Sequence, residues 1–211
     1  MESALQLDFV EKRAEMRQTL VMRTAKLVTE HGEYVCVVRD VSRSGTKLKF
    51  FHQPPPDEFA FLELANGSIY PIQNVWSAED TAGYRFTTHI GINEFITEPG
   101  KHPGRAIRLK IRLNARISVE GEPVRGRLIN ISQQGACVET VRALPVRQRV
   151  KVEANGLPDR IGHVCWRKGN THGIVVQDGF TLEELAARVF ALQPFPETIG
   201  DRVEEATRRL A

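Results

Sequence analysis

The strongest constraint on this chain is that it repeats itself. Adding 90 to a position in the first half pairs Ala25 with Ala115, Glu30 with Glu120, Ser42 with Ser132, Gly45 with Gly135, Pro55 with Pro145, Glu63 with Glu153, Trp76 with Trp166 and Gly83 with Gly173. No gap is needed. Chemically similar pairs fall in the same register: Leu27 with Ile117, Val38 with Leu128, Asp40 with Asn130, Val41 with Ile131, Leu48 with Val138 and Leu62 with Val152. One register held through both tryptophans and an S-x-x-G turn means that a single domain occurs twice. The 211 residues divide into an N-terminal segment 1–10, a first domain 11–97, a linker 98–104, a second domain 105–192 and a C-terminal helical stretch 193–211. The linker is rich in turn formers, Pro99-Gly100-Lys101-His102-Pro103-Gly104.

Inside each copy, short apolar or alternating runs are separated by polar turns. In the first they are Leu20 to Val28, Tyr34 to Val38, Thr46 to Phe51, Phe59 to Leu64, Ile69 to Trp76 and Gly83 to Thr88, the spacing of an all-β unit. Glu30 to Glu33, Pro54 to Asp57, Asn66-Gly67 and Asp80 to Gly83 supply the turns, with Asn-Gly the sharpest hairpin signal. Six antiparallel strands left open would expose two edges, so each copy is expected to close into a small six-stranded barrel. Trp76 and Trp166 are placed in the barrel interiors. After the second copy the period changes to that of a helix: Leu182, Leu185, Ala186, Val189 and Phe190 share one face, and Thr181 with Glu184 forms a capping box. A second amphipathic helix is expected after Pro196, with Ile199, Val203, Ala206 and Leu210 on its apolar stripe. These helices either cover a barrel opening or offer a dimer or partner surface.

Composition removes several function classes. No apolar run approaches the ~20 residues of a membrane span, and acids stand where a signal peptide has its basic flank; a cytoplasmic address and no membrane insertion are expected. Three scattered cysteines, Cys36, Cys137 and Cys165, offer neither a disulfide framework nor a zinc site and read as small buried hydrophobes. The six histidines fall mostly in turns and none is matched in the other copy, which gives no metal site. There is no G-x-S-x-G elbow, H-E-x-x-H pair or phosphate loop of the G-x-x-x-x-G-K-S/T type, so no enzyme is expected. Counting from the sequence, residues 1–100 hold 10 basic and 14 acidic side chains and the remainder 19 and 12, so the halves carry −4 and +7. A bulk nucleic-acid binder spreads basic charge more widely, and neither DNA nor RNA is expected as a partner.

What recurs is a turn with an arginine-rich lead-in. Arg13 and Arg17 stand four residues apart, and 23 residues after Arg17 comes Asp40-Val41-Ser42-Arg43-Ser44-Gly45. Arginine presents a rigid fork of donors that clasps a phosphate bidentately and also fits or stacks on guanine. Asp40 offers acceptors to a purine N–H and amino group, Ser42 a hydroxyl, and Gly45 a close backbone approach. The plainer reading is that Asp and Ser cap backbone donors in a hairpin while the arginines are solvated.

R-x-x-x-R, some twenty residues and then D/N-x-S-x-x-G on a six-stranded barrel resembles the PilZ domain family. Val75-Trp76 with Gly83-Tyr84-Arg85-Phe86, and Cys165-Trp166 with Gly173-Ile174-Val175-Val176, look like that family's closing segment. The resemblance implies two tandem PilZ-like barrels in a mainly all-β protein, and a bacterial receptor for the second messenger cyclic di-GMP. It assigns Arg13, Arg17, Asp40, Ser42 and Gly45 to a first ligand site. A second, departing from the pattern, has Arg105, Arg108, Asn130, Ser132 and Gly135; Gly104 stands where its first arginine belongs. It implies no cofactor beyond the ligand, and an arm or interdomain movement that signals to an unidentified protein partner, with a homodimer through the C-terminal helices as one form. The alternative is a PilZ-like interaction adaptor in which one or both nucleotide sites are lost.

Overall fold

Each copy forms a barrel because its inward positions alternate along every strand and the two outer strands find each other. The structure, a computed structural model, describes residues 18–97 and 106–193. The N-terminal segment, the linker, Arg13, Arg17, Arg105 and the helix expected after Pro196 lie outside the described residues. The first barrel is built from β1 (Gln18–Val28), β2 (Glu33–Val41), β3 (Gly45–Lys49), β4 (Phe59–Leu64), β5 (Ile69–Ala78) and β6 (Thr81–Phe86), followed by α1 (Ile92–Thr97). The second has β7 (Leu109–Val119), β8 (Glu122–Ser132), β9 (Gly135–Thr140), β10 (Arg149–Ala154), β11 (Arg160–Lys168) and β12 (Thr171–Val176), followed by α2 (Leu182–Ala191). All pairs are antiparallel in the order β1-β2-β3-β6-β5-β4, with β4 closing on β1. The order β7-β8-β9-β12-β11-β10 repeats it, with β10 closing on β7.

Equivalent positions fill the two interiors. Leu27, Val38, Leu48, Leu62 and Tyr84 in the first barrel, and Ile117, Leu128, Val138, Val152 and Ile174 in the second, are all buried. One helix plugs each barrel: Phe95 of α1 and Leu185 of α2 are both buried and stand 90 apart. The two β2–β3-type turns hold these helices in place. The carbonyls of Ser44 and Arg43 accept the N–H groups of Phe86 and Ile90, as those of Gln134 and Gln133 accept Val176 and Phe180.

Several expectations are corrected. Trp76 and Trp166 do not fill the interiors but lie outside, 43% and 42% exposed. Two residues on from buried Val164 an unbroken strand would face inward again, yet a bulge between Val164 and Trp166 inserts a residue and turns the indole out; the same bulge lies between Asn74 and Trp76. Only Cys36 is a buried cysteine; Cys137 is half-buried and Cys165 exposed. Helix α1 is an addition: six residues with Gly91 before them lack the side-chain cap that Thr181 gives α2, where its hydroxyl oxygen accepts the Glu184 N–H at 3.0 Å. His172 lies in β12 rather than a turn; its Nε2 accepts the Leu144 N–H at 2.9 Å, and burial holds its pKa below the usual value.

The barrels touch through β2, the start of β7 and α2. Val35 joins the second barrel's apolar cluster. The His52 ring stacks on Phe190 at 4.1 Å, and Gln193 brackets the Glu33 backbone, accepting its N–H at 2.6 Å and donating to its carbonyl at 2.7 Å.

A Cβ added to Gly135 would sit 2.2 Å from the Ile174 carbonyl oxygen on the neighbouring strand. Gly135→Ala is therefore expected to destabilise the protein by about 1–3 kcal/mol, read as a lowered midpoint in urea unfolding; an unchanged midpoint contradicts the close packing described.

Candidate functional site

The D/N-x-S-x-x-G turns fold the same way in both barrels. The Ser42 hydroxyl oxygen accepts the N–H groups of Gly45 at 3.0 Å and Ser44 at 3.3 Å, and its hydroxyl donates to the Gly45 carbonyl at 3.3 Å. Ser132 donates to the Gly135 carbonyl at 3.2 Å. Gly45, like Gly135, packs against the next strand, where a Cβ would meet the Tyr84 carbonyl oxygen at 2.8 Å. The serine and glycine of each motif thus shape the turn, as the plainer reading of the sequence has it, and the first residue is left to face outward.

Strand register then lines up a row of outward neighbours. Asp40 pairs with Lys47, Lys47 with Gly83 and Gly83 with Trp76, so that these positions lie side by side on one face. A second bulge, between Val38 and Asp40, turns Asp40 away from the core that Val38 enters. In the second barrel the row runs Lys110, Asn130, Cys137, Gly173 and Trp166. The glycine is required, because each indole lies flat on it: a Cβ would come within 2.1 Å of Trp76 Nε1 and 1.9 Å of Trp166 Nε1. Each barrel therefore displays an aromatic platform that the inward placement missed. The signal was already present in the sequence as the Trp–Gly pair that both copies share.

The first row opens into a cleft of about 240 Å³ lined by Asp40, Lys47, Trp76 and Arg85 among others. Asp40 Oδ1 is buried and has no protein partner there, an acceptor that costs free energy until a donor reaches it. Lys47 Nζ lies 5.7 Å from the Trp76 ring centre, and Arg85 is held by Gln73, which accepts from its guanidinium at 2.7 Å while donating to Glu58 at 2.9 Å.

The second row adjoins a larger cavity, about 440 Å³, at the junction of the barrels. Arg108, Lys110 and Asn130 line it from the second barrel, and Lys26, Glu63 and Asn66 from the first. Lys26 is buried, and its three donors meet three acceptors: Glu33 at 3.2 Å, Glu63 at 3.1 Å and the Arg108 carbonyl at 3.3 Å. Glu33 also accepts the Lys110 N–H at 2.6 Å. Burial pushes the Cys137 thiol pKa up, and the nearby Arg108 guanidinium pulls it partly back. Of the ten motif residues, the structure places Asp40, Ser42 and Gly45 at the first cleft and gathers Arg108 and Asn130 at the second cavity, with Ser132 and Gly135 in its turn. Among the described residues no group of three or more His, Cys, Asp or Glu is placed to hold a metal, and no helix is long and apolar enough to cross a membrane.

Residues 104–191 match the family model of the PilZ domain. The match covers the second barrel and does not extend to the first. Among solved structures it is similar to PlzA of Borreliella burgdorferi in complex with c-di-GMP, at 12% identity and a TM-score of 0.32 over 90% of this chain and 98% of that one. It is similar also to YcgR of Escherichia coli in complex with c-di-GMP, at 10% identity and 0.34 over 90% and 89%, and to the Bacillus subtilis inhibitor of motility MotI, at 11% and 0.32 over 89% and 97%. No curated protein matches.

The three thiols report this arrangement in order. With both barrels folded, a thiol reagent is expected to modify exposed Cys165 first and half-buried Cys137 more slowly, leaving Cys36 intact until unfolding. Burial raises the Cys36 pKa far above the ordinary thiol value. Mass spectrometry showing early Cys36 modification would contradict the packing of the first barrel.

Proposed function

We propose that the protein is a cyclic di-GMP receptor, a binding module rather than an enzyme, whose principal site is the junction cavity beside the second motif. The observation that carries this is the convergence of Arg108, Lys110 and Lys26 with Asn130 in one cavity, next to a strand row that ends in the Trp166 platform. Cations answer the two phosphates of the ligand, an arginine fork clasps one of them, and an indole held flat on glycine stacks with a guanine, worth about 1–3 kcal/mol per base. The PilZ match over 104–191 and the c-di-GMP named in the complexes of PlzA and YcgR support the same ligand.

In this reading Arg105 joins Arg108 on the linker side, and Ser132 and Gly135 hold the turn that presents Asn130. The first cleft is a second seat. Asp40 Oδ1 awaits the N–H and amino donors of a guanine, Trp76 stacks on it, and Lys47 and Arg85 join Arg13 and Arg17 in neutralising phosphate. Ligand at the junction touches both barrels, so binding resets their contact and signals to a protein partner by population shift. With the tryptophans outside, each barrel offers a surface on which a base of a single strand could also stack. One platform per barrel still suits a compact nucleotide better than a strand, which needs successive platforms along a basic groove.

Titration calorimetry tests this. Cyclic di-GMP is expected to bind the wild-type protein, to keep binding Arg13→Ala/Arg17→Ala through the junction, and to bind Arg105→Ala/Arg108→Ala at least 30-fold more weakly, about 2 kcal/mol or more for a lost bidentate contact. Loss confined to the first double variant moves the principal site to the first cleft. No heat with cyclic di-GMP and no competition by guanine nucleotides favours the adaptor reading, and equal binding of an oligonucleotide at low salt favours a nucleic-acid partner.

A further inference from the structure

The junction cavity contains an acid that a site for an anionic ligand has no need of. Glu63 lies directly opposite Lys26 across the β1–β4 pair, binds it at 3.1 Å, lines the cavity and keeps its side chain 18% exposed. The other acid on Lys26 is different. Glu33 is 3% exposed and pinned by the Lys110 N–H, so it belongs to the joint between the barrels. An ammonium has three donors, and those of Lys26 are already taken by Glu33, Glu63 and the Arg108 carbonyl. An anion that reaches Lys26 must displace one of them, and of its two carboxylates Glu63 is the one that lines the cavity.

We propose that Glu63 is an internal competitor: a carboxylate contributed by the first barrel that occupies Lys26 in the place of the ligand's phosphate and lowers the affinity of the second barrel's site. Phosphate entering the cavity takes Lys26 over and releases Glu63 toward solvent. Glu63 lies near the end of β4, and the β4–β5 turn at Asn66-Gly67 lines the same cavity, so the hairpin of the first barrel responds to what the second barrel binds. The identity of the physiological anion rests on the cyclic di-GMP reading; the competition itself requires only a phosphate.

The test is calorimetry on the full chain with two probes, cyclic di-GMP and inorganic pyrophosphate, for wild type, Glu63→Gln, Lys26→Gln and the double variant. Glu63→Gln keeps the Lys26–Glu33 pair and removes one negative charge from the cavity, so both probes are expected to bind roughly tenfold tighter. The gain is expected to vanish in the Lys26→Gln background. A gain of affinity is a result that damage to the fold does not produce. Unchanged or weaker binding of both probes in Glu63→Gln, or a gain that survives Lys26→Gln, overturns the proposal. Tighter pyrophosphate with no cyclic di-GMP binding in any variant keeps the competitor and discards the nucleotide. Cyclic di-GMP binding of equal strength with and without Glu63 discards the competitor and keeps the receptor, and no binding of either probe discards both.

Discussion

Both barrels depend on the tight turn closed by Ser42 and Gly45, and by Ser132 and Gly135. The hydroxyl satisfies backbone groups inside the turn, while the missing Cβ lets the next strand approach to where a methyl group would strike a carbonyl oxygen. The carbonyls left over on the turn then receive the N–H groups of the strand end and helix lead-in, which aims Phe95 and Leu185 into the barrel openings. The seating of the plug helix follows from one short loop, and the bulge just before it turns Asp40 and Asn130 outward. A motif that looks like a binding signature is therefore first a folding device.

The bulges separate the inner surface from the outer one. A barrel of alternating strands would hide its tryptophans. One extra residue before each sends the indole to the outside, where it rests on glycine. From this common frame the copies diverge in charge. Where the first barrel has Lys47 and Arg85, the second has Cys137 and Val175, and it draws its cations instead from the linker side and from the neighbouring barrel. One cleft is complete within a barrel, and the other exists only where two barrels meet.

The repeat made the architecture legible, since a register kept over ninety positions carries the strand order, the turns and the core from one copy to the other. Phe59–Leu64 ran as expected, and α2 followed its capping box nearly to the residue. The tryptophans were misplaced because a bulge leaves no mark on a hydrophobic pattern and shifts every later side chain to the opposite face. Helix α1 was missed because six residues without a side-chain cap carry too little periodicity. The junction cavity could not be read at all: Lys26 and Glu63 are ordinary charged strand residues until the second barrel's Arg108 and Lys110 are set beside them.

Ligand binding over a tryptophan that rests on glycine, first in the second barrel as proposed, has its own spectroscopic signature. The chain has two tryptophans, one per barrel, so two indole N–H signals in a nitrogen–proton correlation spectrum report the clefts separately. Titration with cyclic di-GMP, with the signals assigned by Trp76→Phe and Trp166→Phe, should move the Trp166 resonance saturably and at lower ligand concentration than that of Trp76. Two indole signals that stay fixed while the ligand demonstrably binds would rule out binding over either tryptophan.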